Sequence, residues 1–219
     1  MHFAIAVFHD EDELVEDILA PYNENDTEFF SEFDVMGSVS DIRKELEQDA
    51  EMSFGPHSDR IKEVLTKSDK GVIRWFLEEK QYSQRGDEYG YLYNPRAEWD
   101  WWVIGGRWDN YLVDKNGNAT NTLLAKDFDF EKSLEAKKEF WKKRWLDEEA
   151  EIKENKNLTP WHTKEPLEEF LSKVEWSCYG IAEYGDYIIY DDTDEFMEEF
   201  NKRIKENPEK YITIVDCHM

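Results

Sequence analysis

The chain has 219 residues, a length that suits one domain. Its aromatic content of 15% argues for a packed core and against disorder, although 36% of its residues are charged. Fifty-two acids against 27 bases give a net charge of −25, a field that opposes direct nucleic-acid binding and docking on anionic membranes.

The segment His2–Phe8 is a short apolar run that predicts a buried strand. Asp10 or Asp12 then offers a cap for a short helix carrying Leu14, Val15, Ile18 and Leu19, ended by Pro21. Residues 38–52 predict a helix with Ser40 as N-cap and Ile42, Leu46 and Ala50 on one face. Two short helices follow over 59–69 and 70–82, with Gly71 near their junction. From Asp10 to Glu51 sixteen acids face only Arg43 and Lys44, so this run is either a solubilising face or a surface that imitates phosphate.

The middle of the chain predicts sheet, with aromatic-rich stretches at 88–93, 98–106 and 107–113. Asn116-Gly117 is a hairpin-turn signal, which pairs Arg107–Val113 with Asn118–Leu124. A long helix is expected over Phe130–Lys156, with Asp129 before it and a stripe of Phe130, Leu134, Trp141, Trp145 and Ile152. A loop, a short helix at 166–173 and a strand pair turning at Gly185-Asp186 come next. A helix over 193–207, capped by Thr193 or Asp194, buries Phe196, Phe200 and Ile204, and a last strand occupies 210–219. Strands at both ends and in the middle, with helices between, give an α+β class: a mixed, largely antiparallel sheet with packed helices. The reading is a single domain over 1–219, with charged helical insertions at about 23–54 and 131–156.

The stretch NPRAEWDWWVIGGRW (residues 94–108) holds four of the nine tryptophans, a density that filling a core does not require. On a strand over Glu98–Ile104, Trp99, Trp101 and Val103 share one face and Asp100, Trp102 and Ile104 the other. Gly105-Gly106 permits positive φ and an anion-binding nest of backbone N–H groups. Arg107 then offers a bidentate partner for phosphate, and Trp99, Trp102 and Trp108 offer rings for stacking. The same residues also suit a β-bulge whose Arg107 pairs with Asp100 while the tryptophans fill the core.

A second constellation joins Asp127 and Asp129 with Asp216 and His218, types that bind metal or move protons. No His-x-x-x-His, His-x-His or Cys-x-x-Cys spacing supports a metal, and Asp127 and Asp129 also suit a helix cap, so no metal or cofactor is expected. His57-Ser58 lacks any nucleophile motif, His162 lies in a loop beside Trp161, and Cys217 reads as a buried small residue. Two cysteines, no apolar run of about 20 residues and no basic leader before the first acids predict a cytoplasmic protein.

The pieces MHFAIAVF, LAPYNEN, NPRAEWDWWVIGGRW, AKDFDFE, TPW and IVDCHM, in this order, resemble a family of uncharacterised bacteriophage and bacterial proteins. The resemblance implies a phage or prophage origin, hence the cytoplasm of a bacterial host, and implies no activity. The stretches 23–54 and 131–156 are longer here than in the pattern. The residues and the resemblance together lead to a first expectation: a non-catalytic protein holding a small anionic, nucleotide-like ligand in the Trp/Gly-Gly/Arg pocket, so blunting a host defence signal. The alternatives are an acidic decoy that docks on a basic host defence protein, and a hydrolase using Asp127, Asp129, Asp216 and His218.

Overall fold

The computed structural model describes residues 1–79, 83–85, 88–155, 159–160 and 162–219. The fold is α+β, with helices packed on a mixed, mostly antiparallel sheet. The contacts cluster into two compact units. The first joins Met1–Pro21 to Glu98–Met219; the second is Tyr22–Ala97 and contains the 23–54 stretch.

The first unit opens with strand β1 (His2–His9), buried along almost its whole length as its apolar run requires. Helix α1 (Val15–Leu19) follows and buries Ile18 and Leu19. Its N-cap is Leu14, without a side-chain bond, whereas Asp10 donates its N–H to Glu13 Oε2. The expected aspartate cap is therefore absent, because Asp10 closes a turn before the helix starts.

The second unit contains strand β2 (Glu32–Gly37), helices α2 (Val39–Met52), α3 (Pro56–Leu65) and α4 (Asp69–Glu79), and strands β3 (Ser83–Arg85) and β4 (Glu88–Tyr93). Its strands run in the order β2-β4-β3, and its core is Ile42, Leu46, Ile61, Val64, Val72 and Phe76. Helix α2 starts two residues earlier than expected. Ser38 is its N-cap, and the Asp41 carboxylate accepts from Ser38 N–H at 2.8 Å and from its hydroxyl at 2.6 Å. Residues 80–82 of the expected 70–82 helix lie outside the described residues.

The chain then returns to the first unit with β5 (Trp101–Ile104), β6 (Leu112–Val113), β7 (Ala119–Thr120), β8 (Thr122–Leu124), α5 (Phe130–Glu154), α6 (Leu167–Ser172), β9 (Gly180–Glu183), β10 (Asp186–Ile189), α7 (Thr193–Glu206) and β11 (Tyr211–His218). The sheet order is β10-β9-β1-β11-β5, with β8 also alongside β11. β1 and β11 pair antiparallel from His2↔His218 to His9↔Tyr211, and β1 pairs parallel with β9. One sheet face carries Ala4, Ala6, Phe8, Ile181, Ile212 and Ile214 into a core completed by Phe196 and Phe200 of α7 and by Trp176 and Phe128.

The expected hairpin of Arg107–Val113 with Asn118–Leu124 is much shorter. Only Leu112–Val113 and Ala119–Thr120 pair across the Asn-Gly turn. A 3-10 turn at Gly106–Trp108 and a left-handed Asn110 (φ 59) break the first strand. Thr122–Leu124 leaves the second to pair with Tyr211–Thr213. Asp129 caps α5, its side chain accepting from Lys132 N–H at 3.0 Å. Phe130 and Leu134 of the stripe pack on the core, and Trp145 donates its indole N–H to Glu165 O. Lys156, the expected end of that helix, and Trp161 lie outside the described residues. Asp192 caps α7, in place of Thr193 or Asp194, by accepting from the N–H groups of Asp194 and Glu195. Arg203 of α7 is buried and donates to Glu183, Asp186 and Glu199, which ties the helix to the β9–β10 hairpin. Among the described residues, no helix is long and apolar enough to cross a membrane.

Candidate functional site

Cross-strand partners in a sheet share a face, and faces alternate along a strand. The register His2↔His218 and His218↔Trp101 therefore lines up three rings on one face. Two positions further in, Ala4↔Asp216 and Asp216↔Val103 bring a carboxylate to that same face. The strand pairing, rather than any local motif, assembles the site.

Asp216 is 2% exposed and makes two charge-assisted bonds. Its Oδ1 stands 2.9 Å from His2 Nδ1, and its Oδ2 accepts from Arg107 N–H at 3.0 Å. The second bond depends on the glycine turn. Gly105 and Gly106 have φ of 72° and 56°. A Cβ on Gly106 would fall 2.5 Å from Asp216 Oδ2, and one on Gly105 would fall 2.5 Å from Asn121 Nδ2. Only bare backbone lets the turn close on the carboxylate. The positive φ values expected for an anion nest are thus present, and the anion at Arg107 N–H is the protein's own Asp216.

An ionised carboxylate only accepts, so toward Asp216 it is His2 Nδ1 that donates. His218 repeats the arrangement with Asp100, Nδ1 to Oδ1 at 2.8 Å. That bond holds the Asp100 carboxyl below the usual carboxylate range. The two imidazole rings lie 4.8 Å apart, and Trp101 stacks on His218 at 5.6 Å with an interplanar angle of 13°. The side chain of His2 is 18% exposed and that of His218 is 33% exposed, so both are sheltered yet reachable.

His2 also lines a cleft of about 330 Å³, with Phe3, Trp108, Tyr179, Tyr190 and Asp191 among its walls. That volume sits at the small end of ligand sites, which run from about 300 to 1,000 Å³. Cys178 borders the cleft, but burial pushes its thiol up to about 12, so it is no thiolate nucleophile at neutral pH.

The residues singled out from sequence separate into several places. Trp99 is 1% exposed and meets Tyr187 edge-on at 5.4 Å, as a core residue does. Trp102 lies opposite Cys217, on the other face from the imidazoles. The tryptophan on the imidazoles' face is Trp101, whose ring lies 5.3 Å from His2 and 5.6 Å from His218. The Arg107 side chain is exposed, and Trp108 is half-buried between core and cleft. Of the second constellation, Asp216 and His218 come together. Asp129 is a helix cap, and Asp127 is exposed in the 3-10 turn before it. Sequence reading missed His2, whose only signal is its position at the start of a strand that pairs with the strand holding Asp216. Among the described residues, no group of three or more His, Cys, Asp or Glu side chains is placed to hold a metal ion. No protein-family model, no curated protein and no solved structure matches this chain.

Proposed function

We propose that the protein binds a small nucleotide-like anionic ligand beside the Gly105-Gly106 turn and hydrolyses its phosphoester by acid–base catalysis through His2 and His218. One observation carries this reading: Asp216 holds Arg107 N–H with one oxygen and His2 Nδ1 with the other, so the ring of His2, a residue that lines the cleft, is fixed in orientation. In the step, His2 Nε2 takes a proton from water as the water oxygen bonds to phosphorus. His218, taking the part of the acid, gives a proton to the departing oxygen as the phosphorus–oxygen bond breaks. Asp216 and Asp100 are positioning residues that set the tautomer and angle of each ring. The exposed Arg107 guanidinium supplies local positive charge in a protein whose overall charge of −25 disfavours an anion.

The test is turnover of bis(p-nitrophenyl) phosphate and of a panel of linear and cyclic nucleotides. His2→Gln should lower kcat about 10²- to 10⁴-fold while circular dichroism stays unchanged, because one proton transfer is lost. Asp216→Asn should lower kcat by a similar factor and distort a bell-shaped pH profile, since an amide no longer selects the tautomer. Wild-type rates in His2→Gln, or no turnover of any phosphoester by the unmutated protein, would refute the reading.

A further inference from the structure

Helix α5 runs for 25 residues and buries only Ser133. Its second half is held from one side. Trp141 meets His162 edge-on at 5.1 Å, and Trp145 donates its indole N–H to Glu165 O. The Glu148 carboxylate accepts from the N–H groups of His162 and Thr163. At about 3.6 residues per turn, the opposite face carries Ala136, Phe140, Lys143, Leu146, Asp147 and Ala150. All six are exposed, Phe140 by 50% and Leu146 by 45%.

The charges along this helix are sorted. Residues 137–144 hold five bases and one acid, and residues 147–154 hold five acids and one base. A lone solvated helix gains from opposite signs three or four residues apart, which mixes them along its length. It also gains from bases, rather than acids, near its C-terminus. The order found here serves neither end. It does serve a second helix running the other way, because antiparallel pairing sets each block against its opposite. A net charge of −25 makes two copies repel over most of their surface, whereas α5 as a whole has seven bases and eight acids.

We infer that the exposed face of α5 is a self-association surface, on which a second copy of this chain lays its own α5 antiparallel about a two-fold axis level with Trp145. In that register Lys143 meets Asp147 of the second copy, and Phe140 meets the small Ala150. The symmetry makes each contact twice. Among the described residues neither Lys143 nor Asp147 has an ion partner within its own chain, whereas Glu139 is held by Lys142. Burial of Phe140 and Leu146 supplies affinity, and the exposed charge pairs fix direction and register. This surface is independent of the phosphoester reading.

The test is molar mass by sedimentation equilibrium over a range of protein concentration. The unmutated protein should pass from monomer to dimer as concentration rises. Lys143→Glu and Asp147→Lys should each raise the dimer Kd at least about tenfold, because each brings like charges together twice. Mixed in equal amounts, the two variants should form a heterodimer that neither forms alone, since each altered position then faces its opposite charge. Pairing within a single helix cannot produce that result. Phe140→Asp should be monomeric with an unchanged circular dichroism spectrum, which gives a second route that does not depend on the charge pair. A protein that stays monomeric at every concentration, a dimer that survives all three substitutions, or a mixture as monomeric as its components would overturn the inference.

Discussion

Asp216 shows how one buried side chain can tie a turn to a ring. It lies in the sheet interior, where an unpaired carboxylate would be costly, and it is tolerated because two donors converge on it. One donor exists only because Gly106 has no side chain. Gly106→Ala is therefore expected to be expensive. Its φ of 56° is unfavourable for alanine, and the new methyl would press on Asp216. The expected loss is about 2–4 kcal/mol of stability, measured by urea unfolding, with a change in the His2 Nδ1 proton signal by NMR. A variant with unaltered stability would show that the turn does not rely on bare backbone. The glycine pair was legible in the sequence as a positive-φ turn for an anion. That the anion comes from within the chain was not, because Asp216 lies 109 positions beyond Arg107 and only strand register connects them.

At the scale of elements, the long strands and helices follow their hydrophobic pattern, while the short ones follow local hydrogen bonds. β1, β11 and α7 match their apolar runs almost to the residue. The caps of α2 and α7 each fall one or two residues before the expected position, since Ser38 and Asp192 hold the bonds that Ser40 and Thr193 were expected to make. The aromatic stretch 107–113 predicted a strand and is mostly turn, because a single left-handed Asn110 overrides β propensity. Strand β2 went unforeseen, since Glu32 and Asp34 alternate with Phe33 and Val35 inside a run that reads as acidic surface. Helix α5 offers a test at this scale. Asp129 caps it, and the bond from Lys132 N–H holds the Asp129 carboxyl below its usual range. A carboxyl lowered on folding stabilises the native state above its unfolded pKa of about 3.9, and that contribution is lost as pH falls through the folded value. Asp129→Ala should thus lower Tm at pH 7, and the gap to the unmutated protein should close in acid. A gap that is the same at pH 7 and in acid would show that the cap does not act through its charge.

For the molecule as a whole, charge is the dominant surface fact. The acid-rich run from Asp10 to Glu51 belongs partly to the first unit, through its Met1–Pro21 segment, and partly to the second, and several of its members, such as Glu13, Asp26 and Asp41, accept local backbone bonds. A net charge of −25 still sets up self-repulsion that salt screens, as the Debye length falls from about 30 Å at 0.01 M to about 8 Å at 0.15 M. Raising sodium chloride across that range should raise the midpoint of the first thermal transition by about 2–6 °C, read by circular dichroism. A midpoint that stays fixed would mean the native ion pairs, such as those of Arg203, already neutralise the effect.

The pairing of β1 with β11 has a consequence for how the protein is made. His2 and Asp216 are 214 positions apart in the chain. At about 5–20 residues per second, a ribosome needs on the order of 10–40 seconds to travel between them. For that interval β1 exists without the neighbour that covers Ile5, Val7 and Phe8, and it needs shelter from other nascent chains. The second unit, with a core of its own, can be complete meanwhile. The His2–Asp216 dyad is thus among the last features to form during translation. A product cut short before Asp216 carries His2 without the carboxylate that bonds its Nδ1.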